Sequence, residues 1–107
     1  MDKEKNHQLK DELAEFLSKV RSNFPLDEAI LFGSRAKGTE KSYSDYDLIL
    51  VSKKFKDVRW HRRIEEVVRF WDSDRDIDVL PYTPEEFMEK KQSRCIVQQA
   101  VREGVAV

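Results

Sequence analysis

The sequence predicts a small α/β domain of the α+β kind, a mixed sheet flanked by helices. Three observations predict it. Apolar residues recur at helical spacing in some stretches, short apolar runs bounded by turn signals occupy others, and the two kinds alternate in the order helix, strand, strand, helix, strand, helix, helix. The chain has 107 residues, enough for one domain spanning 1–107 with one modest core.

Leu9, Leu13, Phe16, Leu17 and Val20 form one apolar stripe of a first helix. It is expected to stop near Asn23, because Pro25 restricts the residue before it. Ala29-Ile30-Leu31-Phe32 is a buried strand, ended by Gly33, and a turn covers Ser34 to Gly38. Tyr46 to Val51 reads as a second strand, with Asp47 near its start. Trp60, Ile64, Val67, Val68 and Trp71 mark a second helix, broken by Asp72-Ser73-Asp74. Trp60 and Trp71 are about three helical turns apart, so the spacing puts both on one face, for which core packing is favoured over an interface. Ile77 to Leu80 is a third strand, ended by Pro81. Thr83-Pro84-Glu85-Glu86 is a helix start in which Thr83 caps, Pro84 takes the first helical position and Glu86 closes a capping box. A last helix covers Ser93 to Arg102, with Gly104 as its stop. Val105-Ala106-Val107 either pairs as a short edge strand or frays.

Lys and Arg number 20 and Asp and Glu 21, a formal charge of −1, so there is no overall pull toward nucleic acid. Arg62, Arg63 and Arg69 read as a solvated flank of the second helix rather than an RNA site. Cys95 is the one cysteine, which excludes an intrachain disulfide; beside Ile96 and Val97 it reads as a small buried apolar residue. His7 and His61 lack the neighbours of a metal or catalytic histidine. The first residues are charged with no apolar run behind them, and nothing is long and apolar enough to span a bilayer, so the cytosol is the expected address.

The chemistry is concentrated in Gly33-Ser34-Arg35-Ala36-Lys37-Gly38 and Ser44-Asp45-Tyr46-Asp47. Residues two apart on an extended chain share a face, so Asp45 and Asp47 point into one pocket while Tyr46 points the other way and packs. Asp78 joins them if the third strand lies beside the second, since neighbouring strands are about 5 Å apart. Converging carboxylates repel, and a hard divalent cation such as magnesium relieves the repulsion while sharing its shell with phosphates. That donor set suits phosphoryl-type transfer, with Asp78 as base or metal bridge. Gly33 allows close backbone approach, Ser34 offers a hydroxyl and an N–H to a phosphate, and Arg35 or Lys37 adds positive charge.

These two joined motifs, followed by Ile77-Asp78-Val79-Leu80, resemble the signature of the DNA polymerase beta-like nucleotidyltransferase superfamily, and the small size resembles its minimal nucleotidyltransferases. The resemblance is close from Ala29 to Leu80 and looser elsewhere. It implies the nucleotidyltransferase fold, with Gly33 and Ser34 on a triphosphate and Asp45, Asp47 and Asp78 as metal-binding catalytic carboxylates; the cofactor expected there is Mg²⁺, as two ions. It also implies a partner: minimal nucleotidyltransferases pair with helical HEPN-domain ribonuclease toxins, act as antitoxins, and in such systems transfer AMP from ATP onto a toxin tyrosine. The leading expectation is therefore magnesium-dependent transfer of a nucleoside monophosphate to a protein acceptor, with RNA as a less favoured acceptor. The alternative is a catalytically quiet antitoxin that blocks a helical partner by contact. A pure nucleic-acid module is the weakest reading, since the net charge is near zero and no stacking motif stands out. A homo-oligomer is compatible with all three.

Overall fold

The computed structural model describes residues 2–32, 46–73, 76–93 and 96–107, with side chains from Glu12 onward except Ile96. Gly33 to Asp45, the stretch in which the phosphate turn and the first acid of the motif are expected, lie outside the described residues, as does Cys95.

Helix α1 (Asp2–Asn23) leads into strands β1 (Glu28–Phe32) and β2 (Tyr46–Val51), a 3-10 turn (Lys53–Phe55) and helix α2 (Trp60–Val68). Strand β3 (Ile77–Tyr82), helices α3 (Pro84–Gln92) and α4 (Ile96–Glu103) and a two-residue strand β4 (Val105–Ala106) complete the chain. The sheet order is β3-β2-β1-β4. β1 runs antiparallel to β2 and to β4, and β2 runs parallel to β3, so the sheet is mixed.

Alternation along each strand divides the core into two layers. On one face Ala29, Tyr46, Leu48, Leu50 and Val79 meet Leu13, Phe16, Leu17 and Val20 of α1 and Val67 of α2. On the other, Ile30, Phe32, Ile49, Val51 and Tyr82 meet Phe87 of α3 and Val97 and Ala100 of α4. β2 is covered on both faces, which is why its Leu48-Ile49-Leu50-Val51 run is continuously apolar.

The structure departs from the expectations in four places. Pro81 does not end β3. It lies inside the strand opposite Leu50, because β3 is an edge strand whose outer side needs no N–H donor. α2 ends at Val68 rather than at Asp72-Ser73-Asp74: Phe70 and Trp71 donate from their backbone N–H groups to the carbonyls of Val67 and Val68, turning the chain inward. The two tryptophans consequently part company. Trp71, off the helix, packs edge-on against Phe16 and Tyr46 at 5.3 Å, while Trp60 stays 40% exposed and packs at a tilt against Tyr82.

The fourth departure is Arg63, which is buried rather than solvated. Its Nε donates to the Val58 carbonyl at 2.8 Å, and its Nη1 to the Pro81 carbonyl at 3.0 Å. Its two terminal nitrogens donate to the Glu86 carboxylate at 2.6 and 3.2 Å. The side chain thus reaches past the β3 edge, tying α2 on one face to α3 on the other.

The capping box forms as expected. The Glu86 N–H donates to Thr83 Oγ1 at 3.2 Å and the Thr83 N–H donates to Glu86 Oε1 at 2.9 Å. The terminal residues pair rather than fray: Val105 and Ala106 lie opposite Leu31 and Ile30, and Val107 donates to the Ala29 carbonyl.

Candidate functional site

The site begins where β1 ends and β2 and β3 start. Phe32, Asp47 and Asp78 are successive register partners across three adjacent strands. Register partners point to the same face of a sheet, here the one covered by α3 and α4. With strands about 4.8 Å apart, the two carboxylates are near neighbours. Asp47 is half-buried and Asp78 exposed, so the pair opens to solvent on one side and rests against the sheet on the other. Tyr46 points the opposite way, buried, and its hydroxyl donates to Glu12 at 3.3 Å.

The local sequence explains the arrangement. A parallel β2–β3 pair requires a crossover, and the 3-10 turn and α2 supply it. That crossover returns the chain to the end of the sheet where β2 began, so both aspartates sit near the start of their strands at the same end of the sheet. The hydrogen bond from the Tyr46 N–H to the Asp76 carbonyl, 3.1 Å, holds the two strand starts together. Because Phe32 and Asp47 are partners, β1 ends and β2 begins beside this pair.

Two like charges this close disfavour one another, and an all-oxygen donor pair beside open solvent fits a hard cation such as Mg²⁺. Among the described residues no group of three or more His, Cys, Asp or Glu side chains is placed to hold a metal ion. Of the expected site residues, Asp47 and Asp78 are brought together; Asp45, Gly33, Ser34, Arg35 and Lys37 fall outside the described residues.

At the far end of β3, Trp60, Tyr82, Glu86 and Lys90 line a cavity of about 260 Å³. Sequence reasoning did not single it out as a site. The available signal was the run of cations from Lys53 to Arg63 with a tryptophan among them. The Glu86 carboxyl there is held below its ordinary value of 4.5, first by the Arg63 hydrogen bond, with burial opposing and Thr83 assisting.

Among the described residues the fold is a mixed four-stranded sheet with helices on both faces and an acid pair at the start of two parallel strands, and comparison with known proteins gives its family. Residues 13–100 match the nucleotidyltransferase domain family, and the chain belongs to that family. A search of curated proteins gave no match. Among solved structures, the chain is similar to a candidate nucleotidyltransferase from Sulfolobus solfataricus, with 27% identity, a TM-score of 0.69, and coverage of 96% of this chain and 82% of that one. It also shares its fold with a chain of a toxin–antitoxin structure containing AMP-PNP, at 24% identity and a TM-score of 0.59, covering 91% of this chain and 70% of that one. Among the described residues no helix is long and apolar enough to cross a membrane.

Proposed function

We propose that this chain is the nucleotidyltransferase-fold member of a two-protein toxin–antitoxin assembly, restraining a helical partner of the HEPN class by direct contact. The observation that carries the reading is the shared fold, over 91% of the chain, with a chain from a toxin–antitoxin structure. Membership in the nucleotidyltransferase domain family supports a nucleotide ligand in this reading. The toxin–antitoxin relative contains AMP-PNP, an ATP analogue, so ATP is the proposed ligand here. In this reading Gly33 and Ser34 hold its phosphates, and Arg35 or Lys37 offsets their charge.

A second reading, transfer of AMP, is favoured by one specific observation: the side-by-side register of Asp47 and Asp78. The acceptor is a hydroxyl of the partner protein, with RNA as a less favoured acceptor. The acceptor oxygen forms a bond to the α-phosphorus, the bond from that phosphorus to the bridging oxygen breaks, and pyrophosphate leaves. The hydroxyl proton passes to Asp78 or to a base it orients. Asp45, Asp47 and Asp78 would hold Mg²⁺, as one or two ions, which when bound neutralises triphosphate charge and lowers the acceptor's pKa.

The test is coexpression with a HEPN-class partner, using wild type, Asp47→Asn, Asp78→Asn and the triple variant that adds Asp45→Asn. Contact predicts that neutralisation and co-purification survive all substitutions. Transfer predicts that neutralisation is lost together with an adenylyl-sized mass increase on the partner. No association of the wild type with such a partner, with or without ATP, would sink both readings.

A further inference from the structure

We propose that the end of the sheet remote from Asp47 and Asp78 binds single-stranded nucleic acid, with Trp60 as its stacking platform. Asp78 lies near the start of β3 and Tyr82 ends it, about 13 Å further on at the rise of a strand. This surface is therefore separate from the acid pair and stands independently of the function proposed above.

The first observation is the ring. Trp71 is taken into the core, but Trp60 is left 40% exposed at the start of α2. Its centroid lies 5.2 Å from that of Tyr82, with the planes tilted by 46°. With Glu86 and Lys90 the two rings line the cavity of about 260 Å³, below the usual drug-sized range and suited to one planar ring system. The platform is held in place. Arg63, clamped by Val58, Pro81 and Glu86, sits with its guanidinium carbon 6.0 Å from the Trp60 ring centre. A rigid aromatic face loses little freedom when a base stacks on it.

The second observation is charge. Residues 53–63 carry six Lys and Arg against one acid, in a chain whose net charge is −1. Arg63 and Arg62 are committed to Glu86 and Glu66. Lys53, Lys54, Lys56 and Arg59 are exposed, and none makes an ion pair with a described residue. The backbone that carries them lies at the same end of β3 as the cleft. The Ser52 N–H donates to the Tyr82 carbonyl at 3.0 Å, so the lysine-bearing turn starts against Tyr82, while Arg59 directly precedes Trp60. Cations that track a backbone beside a ring that accepts any base are the two parts of a single-strand binding surface. An acidic peptide would satisfy the cations and leave the ring cleft unfilled.

The test uses fluorescence anisotropy of a labelled uridine-rich RNA of about 12 nucleotides, within the span of small single-strand binders. Wild-type protein is expected to bind at low salt and to release as salt rises. Trp60→Ala weakens binding about tenfold, Trp60→Phe retains most of it, and the triple change Lys53→Glu, Lys54→Glu, Lys56→Glu removes it. Since those lysines are exposed, the triple variant tests the idea even if Trp60→Ala unfolds. Absence of low-salt binding, or binding untouched by both kinds of variant, overturns the proposal. So does a polyglutamate peptide that competes at equal affinity, or self-association of the free chain that Trp60→Ala abolishes.

Discussion

Arg63 shows how much one side chain can join. Each of its three nitrogens donates inward, to two carbonyls and a carboxylate, and one of those carbonyls belongs to Pro81 on the outer side of the sheet edge. Removing it strands those acceptors beside a half-exposed Glu86, so Arg63→Ala is expected to lower stability by about 2–3 kcal/mol in chemical denaturation. The loss is smaller than for a fully buried pair, because the Glu86 side chain is 43% exposed. The same contact makes stability depend on acid. Glu86 has a lower pKa folded than unfolded, so its contribution is complete above its ordinary value of 4.5 and is lost as pH falls through the depressed folded value. Glu86→Gln is expected to flatten the acid limb of a melting-temperature profile below about pH 5 while leaving the neutral part nearly parallel to wild type.

At the level of elements, the ends of helices decide what the chain does next. Thr83 satisfies the first turn of α3 and is itself buried, so Thr83→Ala should cost about 1 kcal/mol, read as a shift in denaturation midpoint at unchanged slope. Gly104 follows α4, at the helix stop expected of it. Its need for glycine comes from space: a Cβ there would meet Ile30 Cγ2 at 2.6 Å and the Leu31 carbonyl at 2.8 Å, and come closer still to the Ala100 carbonyl. Gly104→Ala must push β4 away from β1, at about 1–3 kcal/mol. The checking measurement is faster hydrogen exchange at Val107, whose N–H donates to Ala29 across that seam.

Over the whole molecule, the sheet converts distance in sequence into proximity. Asp47 and Asp78 are register partners only because a helical crossover brings β3 back parallel to β2. If they share a cation, neutralising one should relieve repulsion without it. Asp78→Asn is expected to raise the melting temperature slightly in EDTA and to abolish any rise caused by Mg²⁺ in wild type. Equal Mg²⁺ response in both proteins would remove these two residues from metal binding.

The amino-acid order by itself determined the mixed α/β class, the bounds of β2, the capping box at Thr83 and the inward-packed Tyr46, because each rests on local periodicity or on partners within a few residues. It also brought the acid motifs to attention, and named Asp78 as their neighbour on the condition that the third strand lies beside the second. Only the tertiary structure decided that Pro81 belongs inside a strand, that Arg63 is buried, that the tryptophans separate, and that Asp47 stands beside Asp78. Each of these depends on which strand is an edge and on which layers meet across it. Those are contacts between residues far apart in the chain, and no window of local sequence contains both partners.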